Sequence, residues 1–527
     1  GARPRCACEK VGRADERSSM NDLTNGVERV SVLVVGAGPT GLLLAGELQR
    51  RGVSCKLIDA RPGPLHWDRA TVIHPRSLEL FESLGLIDRF LEAGTKQRGV
   101  KMYSAGQLLG ALDLAECGSR YGFNLGLSEE ATESILTDYL DALGGSVHRS
   151  ARLIGASAHD GGLLAEIEQG GRHCRVDAEW IVGCDGAHSP TRELGGIVLE
   201  GHDIADPWAV FDAAIRGWTD DFELNVGYLD AIPVILTALP DRRWRVYLRP
   251  SSSESDLVDD AASTLRQYAA TASFADIANP TRFHCSSKVA NRFRSGRVLL
   301  AGDAAHLCSP AQGHGMNSGL QDASNLGWKL ALVCEGVADP SLLDSYGAER
   351  QPIAKMVTQS GDLTEQGQML TDPAKRRDRD ATIRAMFADP EARHNEIVAE
   401  AELNADYAAS PIVFGTGGGL AAGQRAPGTI PVRSAGHTLV LAGDATSEDR
   451  EFAALHDALQ KAVRSSRVFE AIVTVSANDA FGNTGRHGGT TLLAVRPDGY
   501  VGMLSEANYL TAVERYHALV TARRTAP

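Results

Sequence analysis

The chain has 527 residues, 43% hydrophobic and 23% charged, the balance of a globular protein long enough for several domains. A net charge of −14 argues against nucleic acid or an anionic membrane surface as the main partner.

In chain order, residues 1–27 come first. The stretch "GARPRCACEKVGRADERSS" has no apolar core of the kind a secretory signal needs. It reads as a disordered leader, with Met20 as the expected native start. Val30 to Gly46 is free of charge but only 17 residues long, and Pro39 interrupts it, so it does not read as a membrane span. The nine cysteines are scattered, without any CxxC pair, which suggests a reducing, cytoplasmic setting and no metal centre.

Residues 28–59 read as strand, glycine turn, helix, strand: one βαβ unit. Within it "GAGPTG" places Gly36, Gly38 and Gly41 in GxGxxG spacing. The first glycine allows a tight turn, the second a close backbone approach to a pyrophosphate, the third helix-on-strand packing. Pro39 suits the first helical turn, and the amides that follow, from Thr40 on, face an anion with the positive end of the helix dipole. Asp59 ends the second strand, 21 residues after Gly38, where an acid accepts from a ribose diol. The unit therefore predicts dinucleotide binding.

Further on, residues 71–94 and the "EEATESILTDYLDALG" segment read as helices. The stretch "GCDGAHSPTR" then brings Asp185, Gly186, Ser189 and Arg192 after a strand. Residues 205–290 change to short alternating strands. In "RWRVYLRP", Arg243, Arg245, Tyr247 and Arg249 share one face, and Trp244, Val246 and Leu248 the other. "GRVLLAGDAAH" follows, with Asp303 directly behind a buried-looking strand. "PAQGHGMNSGLQDASNLGWKL" then runs through a glycine-broken loop into a helix, where amides near Gly315 to Asn317 offer a second anion-favouring end. Residues 360–410 are charged and helical, "FGTGGGLAAGQRAPG" reads as a linker, and the last hundred residues read as a small α/β unit.

The three motifs together resemble the single-component, FAD-dependent aromatic hydroxylases, over roughly residues 28–430. Gly36 to Gly41 match that family's GxGxxG loop, Asp185-Gly186 through Arg192 its DG motif, and Gly302-Asp303 through Pro310 its GD motif. The C-terminal pieces "GQRAPG" and "AVRPDGYVG" resemble the thioredoxin-like domain appended to phenol and polyketide hydroxylases. No cysteine follows Cys334, so that domain has no dithiol chemistry and reads as a packing or dimer element. A homodimer is thus among the expected partners.

The resemblance implies an α/β fold: a Rossmann-like FAD-binding domain, an inserted antiparallel substrate sheet and the thioredoxin-like unit. The expected boundaries are 28–204 and 291–410 for the FAD domain, 205–290 for the substrate sheet, 411–425 for a linker and 426–527 for the last unit. It assigns Gly36, Gly38, Pro39, Thr40, Gly41, Asp59, Arg61, Arg69, Glu129, Leu153, Asp185 and Gly186 to FAD. To these it adds Gly302, Asp303, Pro310, Gly313, Gly315, Met316 and Asn317. Glu129 stands where the family usually has glutamine, and Gln312 and His314 depart from its P-x-G-G turn. Tyr228, Trp244 and Tyr247 are the substrate-lining candidates. Pro310 and His314 are the catalytic candidates, and His306 reads as a structural histidine.

The activity implied is hydroxylation of a phenolic or polyketide aromatic by a flavin C4a-hydroperoxide formed from O2, with NADPH or NADH as reductant. No second GxGxxG loop with a following acid is present, so the nicotinamide is expected to bind transiently. The same machinery serves epoxidation, Baeyer–Villiger oxidation or antibiotic inactivation, and an aromatic-ligand binder is the alternative outside enzymes. A disulfide reductase lacks its cysteine pair here, and a flavin halogenase its W-x-W-x-I-P stretch.

Overall fold

The computed structural model describes residues 27–64, 70–218, 222–417, 419–428, 430, 434–443, 450–481 and 490–521. The expected leader and Arg69 lie outside these residues.

The first sheet is built on the glycine-loop strand Glu28–Val35. It pairs in parallel with Cys55–Ile58 on one side and Arg172–Gly183 on the other, and Val298–Leu300 extends the parallel run beyond Arg172–Gly183. Both faces are covered, which is why Val32, Leu33 and Val34 form an unbroken apolar run with no exposure. The helix Pro39–Gln49 packs over one face, flanked by the long helix His314–Cys334 and by Glu129–Ala142. Because Val298–Leu300 lies beside Arg172–Gly183, the glycine, DG and GD motifs all leave the same edge of one sheet.

The second sheet has seven strands in the order Ser273–Phe283, Trp208–Arg216, Arg243–Leu248, Val234–Leu239, Leu224–Tyr228, Gly99–Ser104 and Gln107–Asp113. It therefore reaches beyond the 205–290 boundary read from the sequence, taking its last two strands from the first part of the chain. One junction, Leu224–Tyr228 with Gly99–Ser104, is parallel; the other pairings are antiparallel. The helices Pro373–Ala388 and Pro390–Glu400 lie against Gln107–Asp113.

The third unit is a four-stranded sheet in the order Phe469–Val475, His437–Ala442, Thr491–Val495, Val501–Ser505, with helices Arg450–Ser465 and Tyr509–Thr521. The 411–425 stretch, expected as a linker, packs on this sheet: Ile412 is buried, Phe414 bridges Met503 and Arg425 bridges Tyr500. Glycines there serve close packing, since a Cβ on Gly415 would collide with the Leu504 carbonyl.

Buried charge ties this unit to the first. Arg496 donates to Glu349 and Asp498, Lys329 to Glu349, and Trp328 to Asp498, all with almost no exposure. The Arg496 and Lys329 cations hold the Glu349 carboxyl far below the usual carboxylate range despite the opposing effect of burial. Among the described residues no helix is long and apolar enough to cross a membrane.

Candidate active site

The glycine turn is held by backbone geometry. Gly36 has φ of +102°, a conformation that side-chain-bearing residues rarely adopt, and its amide donates to Ile58. A Cβ there, or on Gly41, would strike the Cys184 or Gly36 carbonyl oxygen respectively. Gly38 differs: the nearest atom to its would-be Cβ is a Glu133 oxygen at 3.9 Å, so this side is open. Gly38 caps the helix Pro39–Gln49 without any side-chain hydrogen bond, which leaves the first amides for a ligand.

Asp59 acts on the loop from behind. It accepts from Ala37 N at 2.7 Å, Arg61 N at 2.7 Å and Arg61 Nε at 3.1 Å. Burial opposes its charge, but the Arg61 side chain and the two amides outweigh this and hold the carboxyl low. Arg61 also lies 3.6 Å from Glu133. Neither Asp59 nor Arg61 lines the cavity described below.

The DG motif is also tied internally. Asp185 accepts from Thr191 N at 3.0 Å, Thr191 Oγ1 at 2.7 Å and Ser189 Oγ, while Ser189 caps the helix Pro190–Leu194 by accepting from Arg192 N at 2.9 Å. Its carboxylate is thus spent on the turn, and it is Gly186, Ala187 and Arg192 that reach the cavity wall. Arg192 donates to Ala304 O at 3.2 Å and Ala187 O at 2.9 Å, stitching this motif to the GD turn.

Behind the GD turn sits Asp322, fully buried. It accepts from Gly302 N at 3.0 Å, His306 Nε2 at 2.7 Å and Arg350 Nε at 2.6 Å. Burial would raise its pKa; Arg350 and His306 reverse that and hold it low. This pairing fixes Gly302 and leaves Asp303 exposed on the cavity side, and it gives His306 the structural role read from the sequence.

The loop after the GD turn is set from below. Ser309 donates to Glu365 at 2.6 Å, and Arg249, which also donates to the Asp206 carbonyl, pairs with Glu365. Pro310 to Gln312 form one short turn, and Gly313, at φ of +71°, starts the helix His314–Cys334 with no side-chain cap. Asn317 is buried under this helix start. It accepts from His74 N and donates to the Val72 and Gly313 carbonyls.

These pieces surround one cavity of about 1230 Å³. Gly38, Pro39, Thr40, Glu129, Gly186, Asp303, Pro310, Gly313, Gly315 and Met316 line it, while Gly36, Gly41, Leu153, Asp185, Gly302 and Asn317 support it from outside. Leu153 is buried among Leu33, Ile58 and Ile167 in the first sheet's core.

The opposite wall is one face of the second sheet. Alternation decides which residues reach it. Gly227 pairs with Ile235 and Ile235 with Tyr247, and all three line the cavity, as do Asn225, Thr237 and Met102. Tyr247 thus stands on the cavity face. Tyr228 and Trp244 are corrected: they stand on the other face, in a cluster with Phe211, Val226, Leu236 and Val246. Their rings are core, with the Tyr228 hydroxyl accepting from Trp218 at 3.1 Å. On the cavity side the Thr71 hydroxyl lies 3.2 Å from the Tyr247 hydroxyl and 3.5 Å from Thr237, a polar row spanning the two walls.

His314 is corrected as well. It is buried off the wall, with Nδ1 at 2.8 Å from Glu402, and its ring centroid lies 4.9 Å from that of His74. Burial works against its charge, but Glu402 raises its pKa above the ordinary histidine value. One ligand atom each from His74, His314 and Glu402 fall within 4.8 Å of one another.

Thr71, Asn225, Thr237, Gln368 and Phe387 are wall residues that lie outside the three motifs. The polar positions alternating with Val226 and Tyr228, or with Leu236, were the available signal for Asn225 and Thr237. Nothing local marks Gln368 or Phe387, which come from separate helices.

The cavity suits FAD. Two uncapped helix starts meet the same space, a Cβ-free Gly38 opens one of them, and Glu129 and Asp303 supply acceptors for hydroxyls.

The FAD binding domain family matches residues 29–361. Pentachlorophenol 4-monooxygenase of Sphingobium chlorophenolicum is 33% identical over 341 residues, 62% of this chain and 63% of that protein. 6-Methylpretetramide 4-monooxygenase of Streptomyces rimosus is 32% identical over 414 residues, 74% of this chain and 72% of that protein. Among solved structures, anhydrotetracycline hydroxylase from Streptomyces rimosus superposes with a TM-score of 0.73 at 28% identity, covering 94% of this chain and all of that one.

Proposed function

The chain belongs to the FAD binding domain family of aromatic monooxygenases, and on that premise we propose that it hydroxylates a phenolic ring system of polyketide type, with NADPH or NADH as reductant and O2 as oxygen source. What carries this reading is the continuous cavity, which joins two uncapped helix starts to a mixed polar and apolar sheet face.

FAD, when bound, supplies hydride acceptance and oxygen activation. The residues of this chain do the binding, orienting and shielding. The amides opening Pro39–Gln49 hold the pyrophosphate, with the positive end of the helix dipole behind them. Glu129 and Asp303 take hydroxyls of the ribose and ribityl segments. The amides of Gly315 and Met316, in the uncapped first turn of His314–Cys334, would hold the polar edge of the ring and favour negative charge there. The turn at Pro310, which lines the cavity, would shield the bound ring from water. Tyr247, Thr71 and Thr237 hold the substrate's phenolic oxygen by their hydroxyl row, and the sheet face excludes water around it.

The same reading takes residues 28–204 and 291–410 as the cofactor half and 205–290, joined by 99–113, as the substrate half. The four-stranded C-terminal unit is taken as thioredoxin-like, and because no cysteine follows Cys334, its role is packing.

The test is NADPH and NADH oxidation in air by the flavin-loaded protein, with and without phenolic polyketides, reading peroxide and product mass together. Stimulated oxidation with a product heavier by one oxygen is the expected result. Tight ligand binding without any stimulated oxidation or oxygenated product would instead identify a binder.

A further inference from the structure

Three ligating side chains meet behind the start of the helix His314–Cys334, off the wall of the cofactor cavity. His74 caps the helix Pro75–Ser83, His314 opens the long helix, and Glu402 follows the helix Pro390–Glu400. All three are buried, and one ligand atom from each falls within 4.8 Å of the others. They come from positions 74, 314 and 402, so no spacing in the sequence marks them.

The His74 ring is held from one side only. Its Nδ1 lies 3.1 Å from Asn124 Oδ1, and the Asn124 amide nitrogen donates to Glu400 at 3.2 Å. Asn124 therefore presents its oxygen, and His74 carries its proton on Nδ1. That leaves Nε2 as a lone-pair acceptor, on a fully buried side chain and without a hydrogen-bond partner. It faces the helix start, 3.5 Å from where a Cβ on Gly313 would stand. A buried unpaired acceptor is costly, and an imidazole fixed through its other nitrogen is the usual form of a histidine that ligates a metal.

Charge and space agree with this. Glu402 accepts from His314 Nδ1 and from Gln321 Nε2, and Glu396 and Glu400 act on the same histidine from farther out. Among the described residues no lysine or arginine pairs with these acids, so one imidazole is set against three carboxylates. Glu402 also keeps a φ of +55° just past its helix, a place where glycine is usual. A small cavity of about 60 Å³, lined by His314, Glu402, Gln321 and Ser318, adjoins the pair and has room for water.

We propose that His74 Nε2, His314 and Glu402 form a binding site for Zn2+, with a water from the adjoining cavity as the fourth ligand. Two imidazoles and a carboxylate suit zinc, whereas Mg2+ or Ca2+ would call for oxygen ligands throughout. Zn–N distances of about 2.0–2.1 Å put tetrahedral ligand atoms about 3.4 Å apart, so these side chains close by at most about 1.4 Å around the ion. The ion takes the place of the proton shared by His314 and Glu402, and it gives His74 Nε2 its missing partner. Its work is positioning. It clamps the helix start whose next residues, Gly315 and Met316, line the cofactor cavity to the start of Pro75–Ser83 and to the end of Pro390–Glu400.

The experiment uses the flavin-loaded full chain, stripped with EDTA and moved into metal-free buffer. It is titrated with Zn2+ by calorimetry and with Co2+ as a coloured stand-in, and bound metal is counted by mass spectrometry. The expected result is one ion per chain at this site, a Co2+ spectrum of tetrahedral nitrogen and oxygen ligands, and an unfolding midpoint that rises with Zn2+. His74→Gln and Glu402→Gln should each weaken binding by about tenfold or more, and Asn124→Ala, which frees the His74 ring, by about 10–100-fold. His159→Gln, at an exposed histidine beside Asp177, should leave binding unchanged. The parent chain alone can refute the site: absence of bound Co2+, or only the thiolate charge-transfer band that an exposed cysteine such as Cys174 would give, overturns it. Equal affinity in the parent, His74→Gln and Glu402→Gln overturns it as well. None of these readings depends on turnover, so the site and the oxygenase reading stand or fall separately.

Discussion

The two walls of the cavity are held in different ways. Behind the cofactor wall lies buried charge: Asp322 with Arg350 and His306 under the GD turn, His314 with Glu402 at the start of the long helix, Asp59 with Arg61 beneath the glycine loop. Behind the substrate wall lies an apolar cluster of Phe211, Val226, Tyr228, Leu236, Trp244, Val246 and Leu265. Directional bonds set the position of individual backbone groups, which a fixed anion and ring require. Side-chain packing instead sets a flat, rigid surface whose cavity-facing residues can vary without disturbing its support. The difference teaches where tolerance to change should lie.

The largest expected effect tests the charged side. Arg350→Met strands the Asp322 carboxylate in the interior, and the expected destabilisation is about 3–5 kcal/mol in a urea titration, with FAD lost as well. A loss under about 1 kcal/mol would mean that the GD turn does not depend on this pair. Next comes the apolar side. Trp244→Ala should cost about 3 kcal/mol through the cavity it leaves, whereas Tyr247→Phe should barely move the unfolding midpoint but weaken substrate binding. If Tyr247→Phe destabilised the fold as much as Trp244→Ala did, the assignment of opposite faces would fail.

Smaller still is Asp303→Ala, which removes an acceptor from the cofactor wall. FAD affinity should drop by roughly tenfold or more, measured by equilibrium dialysis, while the protein keeps its unfolding midpoint. Retained flavin with normal turnover would contradict the role given to Asp303.

The contrast between the walls also explains what the sequence disclosed. The cofactor wall is written in three contiguous runs, and glycine spacing names its backbone positions because each glycine answers a local steric demand. Side-chain roles inside those runs were less legible. Asp59 and Asp185 were expected at the ligand, yet both spend their oxygens on neighbouring amides and hydroxyls, a choice that depends on partners such as Arg61 and Thr191. The substrate wall is assembled from single residues on many segments. Alternation along "RWRVYL" already placed Trp244 and Tyr247 on opposite faces; which face looks inward was fixed only by the strands Gly99–Ser104 and Gln107–Asp113 joining the sheet from far upstream. Gln368 and Phe387 carry no local signal, because they reach the wall from two separate helices, Asp344–Gln368 and Pro373–Ala388.

The smallest effect is a dependence on pH that only the charged wall should show. His314 has its pKa raised above the ordinary 6.5, since Glu402 outweighs the burial that opposes it. The stabilisation it contributes is therefore complete below 6.5 and is lost as pH rises through the native value. Asp322 has its pKa held below 3.8 by Arg350 and His306, so its contribution is complete above 3.8 and is lost only as pH falls through the lower native value. The cofactor half is thus weakened from the alkaline side first. In His314→Gln, the decline in unfolding midpoint between pH 6.5 and the alkaline range should flatten relative to the parent, while Trp244→Ala should keep the parent's slope because no charge was removed. Parallel slopes in the parent and His314→Gln would mean that the Glu402 pair is already neutral at pH 6.5, and the support of that helix start would then have to be sought in the hydrogen bonds of Asn317 instead.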